Sequence, residues 1–302
     1  MGLNKPIDNV PHPLEKERAN DPASGQTLAR LTLNTSRVVL GVLLVCIGME
    51  FLLWLLDYHV NYGRLTELGP IRRMCNLARE DSLGSWFGTT QTFLVALTTG
   101  ALYLLTRASS SSRWQRSGWL LLTIFFLYMA VDDGAEIHER LGTVFKTLHH
   151  DQTDIAGELT LEARLLESFP SYSWQIIFLP FFACMGLFMA VFTWLELKGT
   201  WGRLLVLAAI GCFVIGISLD YIEGLDEDDP ANLYTILSEN YDLDGFTSLR
   251  FARSGYDTLR HFSKTTEETL EMLGMTLLWI TFLGHLPNVA GRIEIHVLNP
   301  SE

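Results

Sequence analysis

The sequence predicts an all-α polytopic membrane helix bundle of about six transmembrane helices, with both termini cytoplasmic. Hydrophobic residues make up 48% of the 302 residues, and the mean hydropathy is +0.21. The apolar residues occur in blocks of roughly 20, which is the length that crosses a bilayer. Tryptophans such as Trp54 and Trp194 stand near the block ends, where interfacial anchors are expected. The predicted spans are 37–57, 86–106, 118–138, 172–195, 204–223 and 267–286.

Polar segments flank the helical region on both sides. Residues 1–36 are mixed in charge and contain prolines, which predicts a flexible cytoplasmic tail. Residues 289–302 form a second predicted cytoplasmic tail. The segment between them, 37–288, is then a single six-helix transmembrane domain.

The charges of the connecting segments predict the orientation of the helices. The second-to-third connection, "TRASSSSRWQR", has three arginines and no acid, and Lys198 and Arg203 lie in the fourth-to-fifth connection. Because Lys and Arg are retained on the cytoplasmic side, these connections and both termini are predicted to be cytoplasmic. The acid-rich connections 58–85, 139–171 and 224–266 are then external, and we expect a multi-pass protein of the bacterial inner membrane.

Acidic residues enter the outer ends of several predicted spans. The third span has fourteen apolar-type residues, 118–131, before Asp132, so its acidic end must dip into the outer leaflet. Glu50, Asp220 and Glu271 lie at similar depths, judged from the distance to the cytoplasmic end of each span. Carboxylates from different helices are therefore predicted to converge in one layer.

Helical phase indicates which of these acidic residues face the same way, because residues three, four or seven apart share a helix face. Asp132, Glu136 and Glu139 would align on a continuous helix, as would Asp220 with Glu223. His138 is the exception. It lies roughly opposite Glu136, so the helix must distort near Gly134 or His138 must make another contact.

Such a layer of like charges must protonate, pair with bases or bind cations. Three interpretations stay open: an ion-pair network that joins helices, a divalent-cation site, and a route for protons or cations. No Glu-x-x-His pair of the di-iron type occurs, so oxygen-preferring Ca²⁺, Mn²⁺ or Mg²⁺ is favoured, with zinc or iron as alternatives. The candidate metal ligands are Glu50, Asp132, Asp133, Glu136, His138, Glu139, Asp220, Glu223, His261, Glu267, Glu268 and Glu271.

A second candidate for calcium is the segment "NYDLDG". It places oxygen-bearing side chains at alternate positions, Asn240, Asp242 and Asp244, and a glycine sixth, as an EF-hand loop does. The twelfth position is Phe251, where a bidentate Glu belongs. An ordinary Asp/Gly turn is the competing interpretation.

Two motifs carry a resemblance to other proteins. "EDSLGSWFG", which opens the second span, and "DDGAEIHERLG", which closes the third, resemble the paired "N-S-L-P-T-W-F" and "L-D-E-x-x-x-I-H-E" patterns of uncharacterised bacterial multi-span membrane proteins. Gly84 stands where that pattern has proline. The resemblance implies a bacterial origin and a role for the acidic layer, and it brings no activity with it.

The residues favour a membrane protein that binds a divalent cation in its outer leaflet, as a binding and assembly module or as a subunit of a larger complex. A membrane metalloenzyme acting on a lipid or quinone is one alternative, and a proton- or cation-coupled transporter is another. The expected partners are the lipid bilayer and other membrane subunits, with no nucleic acid. No H-E-x-x-H, G-x-S-x-G or phosphate-loop motif supports hydrolase chemistry.

Overall fold

The computed structural model describes residues 34–290, and the two predicted tails lie almost entirely outside them. Every regular element in this part of the chain is a helix. The helices are α1 (Thr35–Leu56, continued by a π-helical segment, Asp57–Tyr62), α2 (Gly69–Met74), α3 (Leu83–Ala108), α4 (Arg113–Ala135), α5 (Ile137–His149), α6 (Leu161–Ser168), α7 (Ser173–Glu196), α8 (Thr200–Glu223), α9 (Leu233–Asn240), α10 (Leu243–Phe251) and α11 (Gly255–Ala290).

Five of these helices are long and apolar enough to cross a membrane, which confirms the all-α polytopic membrane bundle. They are α1 with its π-helical continuation, α4, α7, α8 and α11. The remaining predicted span, 86–106, lies within α3, whose 26 residues extend about 39 Å. The buried side of α3 includes Gln91, Thr92 and Thr99, so polar residues lower its hydropathy. Its position across the membrane stays a prediction.

Side-chain contacts show that α7 runs antiparallel to α4 and to α8. Near the acidic end, Gln175 at the start of α7 donates to Asp220 at the end of α8, at 2.9 Å. At the opposite end, Gln115 at the start of α4 donates to Glu196 at the end of α7, at 3.0 Å. The ends of α4 and α8 that carry Asp132 and Asp220 therefore lie at the same side of the bundle as the start of α7.

The hydrophobic core fills the half of the bundle away from the acids. Trp119 is fully buried and packs edge-to-face against Phe192 and Phe282, with ring centroids 5.2 and 5.5 Å apart. Leu122 and Leu278 are fully buried in the same cluster. Apolar side chains on the outer surface, such as Leu44 and Val45 of α1, are exposed, as suits contact with lipid.

The third predicted span does not continue as one helix through its acidic end. α4 ends at Ala135, and Glu136 adopts a left-handed conformation with φ 53° and ψ 40° before α5 begins. The expected distortion is present, two residues beyond Gly134. The prediction that Asp132, Glu136 and Glu139 share one continuous helix face is wrong, because the chain changes direction between them.

The predicted external connections contain short helices. α5 packs on α7, where a Cβ on Gly142 would lie 2.6 Å from the backbone nitrogen of Trp174. α11 begins twelve residues before the predicted boundary at 267, so its first turns lie within the segment expected to be a loop.

Candidate functional site

A cavity of about 430 Å³ lies between α3, α4, α7, α8 and α11. Its larger part is lined by apolar side chains, among them Phe126, Phe182, Phe213, Met272 and Met275. One end is lined by carboxylates instead. A smaller, more polar cavity of about 260 Å³ adjoins that end and shares Glu80, Glu139, Trp174, Asp220 and Lys264 with it.

Ten carboxylates surround the junction of the two cavities, and we refer to them as the acidic layer. Within the linings of the two cavities, the basic side chains beside them are Lys264 and His138. Negative groups therefore greatly outnumber positive ones in a largely buried region, where charge is costly. The members of the acidic layer are Glu80, Asp132, Asp133, Glu136, Glu139, Asp220, Glu223, Glu267, Glu268 and Glu271.

Lys264 projects from α11 into the middle of this layer. Its Nζ atom lies 2.9 Å from Oε1 of Glu267 and 3.8 Å from Oε1 of Glu268, one helical turn further along. It also lies 3.8 Å from Oδ1 of Asp220 and 4.0 Å from Oε2 of Glu223, both on α8. A single ammonium group thus lies within 4.0 Å of four carboxylates and connects α11 to the end of α8.

Three carboxylates lie close enough to share one ion. Ligand oxygens of Asp220, Glu223 and Glu267 lie within 4.8 Å of one another. Oxygens that share a calcium ion at about 2.3–2.6 Å lie no more than about 5 Å apart. The Oε2 atoms of Glu223 and Glu267 are buried and have no hydrogen-bond partner. These three residues are the best candidates to hold a metal ion.

The buried Asp132 and the half-buried His138 form a pair at the start of α5. Nδ1 of His138 lies 2.8 Å from Oδ2 of Asp132, and the backbone N–H of His138 donates to Oδ1 at 2.9 Å. Burial by itself lowers the pKa of His138, but the hydrogen bond with Asp132 and the charge of that carboxylate raise it above its usual value. The Asp132 carboxylate also satisfies an N–H at the beginning of α5 that has no partner within the helix.

Three acids outside the long helices have shifted pKa values. Burial raises the pKa of Glu80 to about 7, with Lys264 opposing the rise and the charges of Glu139 and Asp133 adding to it. Burial also raises the pKa of Glu139. The neighbouring Asp81 behaves in the opposite way: hydrogen bonds from Arg73 and Arg79 lower its pKa to about 2. Glu80 therefore gains or loses its proton near neutral pH.

Two predicted metal ligands lie outside the acidic layer. Glu50 accepts a hydrogen bond from Oγ1 of Thr276 at 2.7 Å and lines neither cavity. Nε2 of His261 lies 2.8 Å from Oδ2 of Asp57, and its ring stacks on Tyr62 with centroids 4.3 Å apart. The remaining ten predicted ligands, from Asp132 to Glu271, line one or both cavities.

The segment 240–245 does not form a continuous EF-hand-like loop. Asn240 is the last residue of α9, and α10 begins at Leu243, within the stretch that would have to wrap around calcium. Asn240 donates to the backbone carbonyl of Ile236, and Oδ1 of Asp244 accepts from the backbone N–H of Gly255. These contacts are those of a helix-to-helix junction.

Sequence reasoning missed two members of the site and one separate network. Glu80 and Lys264 are absent from the predicted ligands, yet both line the two cavities, and Lys264 lies at the centre of the acidic layer. The spacing of Lys264 from Glu267 and Glu268, three and four residues, was an available signal. Asp57 is fully buried and accepts hydrogen bonds from Asn61, Leu77 and Thr265, in addition to its contact with His261.

The family comparison covers most of the transmembrane region. A family described as a domain of unknown function, DUF8692, matches residues 37–286. The chain belongs to this family. No curated protein and no solved structure matches the chain.

The DUF8692 match extends from α1 to α11 and therefore contains the whole acidic layer and both cavities. The family description assigns no activity, in agreement with the resemblance to an uncharacterised group.

Proposed function

We propose that this protein binds a divalent cation between α8 and α11, through Asp220, Glu223 and Glu267. The observation that carries the proposal is the unpartnered Oε2 atom of Glu267. The side chain of Glu267 is 6% exposed, and this oxygen lies beside two other carboxylates within coordinating distance. A buried carboxylate oxygen without a partner is costly, and a cation removes that cost.

The donor set favours a hard ion. All three candidate ligands supply oxygen, and Glu268 and Glu271 can supply more from the next turn of α11. Calcium, manganese and magnesium prefer such ligands, whereas zinc and iron sites usually include His or Cys. The Lys264 ammonium lies among the same oxygens, so we expect the metal ion to displace it or to bind beside it.

The cation would act at a helix junction, which suits a binding and assembly module or a subunit of a larger membrane complex. We place the protein in a bacterial inner membrane, with segments 1–36 and 289–302 cytoplasmic and the acidic layer in the outer leaflet. Transport is less well supported. Between Thr276 and the Glu196–His285 contact at the other end, the bundle is filled by Leu278, Phe282 and Trp119, each fully buried.

A metalloenzyme is the second candidate, favoured by the Asp132–His138 pair. The pair lines the same cavity as two of the proposed ion ligands, Asp220 and Glu267, so a lipid-like molecule in the cavity could contact both the pair and the ion. In such an enzyme His138 would move a proton, oriented by Asp132 through Nδ1.

Metal analysis combined with thermal unfolding in detergent tests the proposal. We expect metal to copurify, chelator to lower the melting temperature, and Ca²⁺, Mn²⁺ or Mg²⁺ to restore it by mass action, worth about 2.7 kcal/mol at a hundredfold excess over Kd. Glu267→Gln should lose this response, because the amide removes the charge, while the exposed Glu239→Gln keeps it. A wild-type protein without copurified metal that is indifferent to chelator and to all three ions would overturn the proposal.

A further inference from the structure

The apolar part of the 430 Å³ cavity opens towards the side of the bundle. Leu187 of α7 and Val214 of α8 both line the cavity, yet their exposed fractions are 67% and 58%. A residue that lines a cavity and is also widely exposed marks an opening. The opening therefore lies between α7 and α8, at the apolar surface of the bundle, where membrane lipid would surround the protein.

α7 has buried side chains near its two ends and a buried methionine, Met185, between them. Trp174 and Gln175 are buried at the acidic end, and Met189 and Phe192 at the other. Between them, Ala183 and Gly186 line the cavity, and a Cβ on Gly186 would meet no atom within 4 Å. Small side chains in the middle of α7 thus leave room between this helix and α8.

The size and the lining of the cavity suit a hydrocarbon chain. Sites for small molecules measure about 300–1,000 Å³ and are mostly apolar, with a few polar groups at one place. The Phe182, Phe213 and Met275 side chains supply apolar walls from three helices. Water in this part of the cavity would find few hydrogen-bond partners, so an apolar chain is favoured there.

The negative charge at the acidic end of the cavity determines which head group fits. Nine members of the acidic layer line this cavity, with Lys264 and His138 as the basic side chains among its lining residues. A carboxylate or phosphate head group would be repelled, because like charges in a partly buried site destabilise each other. An amine would pair with carboxylates and reduce the excess negative charge.

We propose that the cavity binds an amphiphile with a hydrocarbon chain in its apolar part and an amine head group in the acidic layer. The ligand enters from the membrane between α7 and α8. This goes beyond the proposed cation site and does not require a metal ion, although amine and metal would compete for the same carboxylates.

Photolabelling of the full chain in maltoside detergent, with chelator present, tests this directly. The probes are a twelve-carbon amine, the matching alcohol and the matching carboxylate, each with a diazirine at the end of its chain. The matched variants are Gly186→Phe, which fills the cavity, and Gly48→Phe on α1, which does not line it; a Cβ at either position meets no atom within 4 Å. Specific labelling is the part that Gly186→Phe removes and Gly48→Phe keeps.

We expect specific amine labelling on Phe182, Phe213 or Met275, at a probe concentration about tenfold lower than the alcohol requires, equal to about 1.4 kcal/mol. The carboxylate probe should label least. Equal labelling by the three probes, or labelling that Gly186→Phe leaves unchanged, overturns the proposal.

The outcome is separable from that of the cation site. Gly186→Phe should keep the divalent-ion dependence of melting, since Gly186 lies outside the acidic layer. A wild-type protein that does not respond to divalent ions but is labelled by the amine probe would refute the cation site and support the amphiphile site.

Discussion

Lys264→Met is the sharpest perturbation of the acidic layer, because it removes one ammonium group and keeps an apolar chain of similar length. At 2.9 Å and an effective dielectric of about 20, the attraction between Lys264 and Glu267 is about 6 kcal/mol. Each contact at 3.8–4.0 Å, to Glu268, Asp220 and Glu223, adds about 4 kcal/mol while its carboxylate is charged. Much of this gross attraction is offset by desolvation, since the Lys264 side chain is 14% exposed.

The expected net loss is therefore that of removing one partner from a buried ion pair, about 3–5 kcal/mol in the free energy of unfolding. Thermal and denaturant unfolding in detergent with chelator would measure it. The exposed Lys146→Met on α5 is the matched control and should lose almost nothing.

Divalent cations should act differently on the two proteins. With the ammonium absent, Asp220, Glu223 and Glu267 lose their internal competitor, so Lys264→Met should bind Ca²⁺, Mn²⁺ or Mg²⁺ more tightly than the wild type and regain stability. Two results would refute this reasoning. One is a variant as stable as the wild type in chelator, and the other is a destabilised variant that no divalent ion rescues.

Three further predictions concern pH, packing and topology. The pKa of Glu80 is about 7 in the folded protein and 4.5 ordinarily, so between these pH values the folded chain binds the proton more tightly than the unfolded chain, and stability falls as pH rises. Glu80→Gln should flatten this dependence of the melting temperature on pH. An unchanged slope would contradict the raised pKa. Gly142→Ala places a Cβ 2.6 Å from the α7 backbone and should cost about 1–3 kcal/mol in chemical unfolding, against a neutral Gly211→Ala, where nothing lies within 4 Å. In intact cells, an impermeant thiol reagent should modify Ile155→Cys and miss Ser109→Cys; the reverse pattern would invert the proposed orientation.

The long helices were predictable because hydropathy reports directly on membrane-spanning segments. Helix boundaries were less predictable from the sequence. The break at Glu136 depends on a left-handed residue that is not glycine, and it is supported by the contacts of Asp132 with His138, which helical periodicity does not encode. The start of α11 at Gly255 was hidden by polar residues that a helix can carry outside the membrane.

The acidic layer was predictable in depth but not in its contacts. Counting residues from the end of each span that is predicted to be cytoplasmic placed Asp132, Asp220 and Glu271 at a similar depth, and they line the same cavity. The position of Lys264 depends on the rotation of α11 against α8, which the sequence alone leaves open. The cavity itself could not be predicted from the sequence, because residues facing lipid and residues facing an internal apolar space have the same composition.

The contacts between α1 and α11 have a consequence for biosynthesis. The two buried acids of the first span and its continuation, Glu50 and Asp57, find partners on the last helix, in Thr276, His261 and Thr265. Ribosomes make α1 more than two hundred residues before these partners exist. Until α11 is inserted, Glu50 lacks its hydrogen bond from Thr276 and Asp57 has only its contacts with Asn61 and Leu77, so water, lipid head groups or insertion machinery have to supply the missing partners. A chain truncated before α11 therefore exposes polar groups within the bilayer, a feature by which membrane quality control could recognise an unfinished copy.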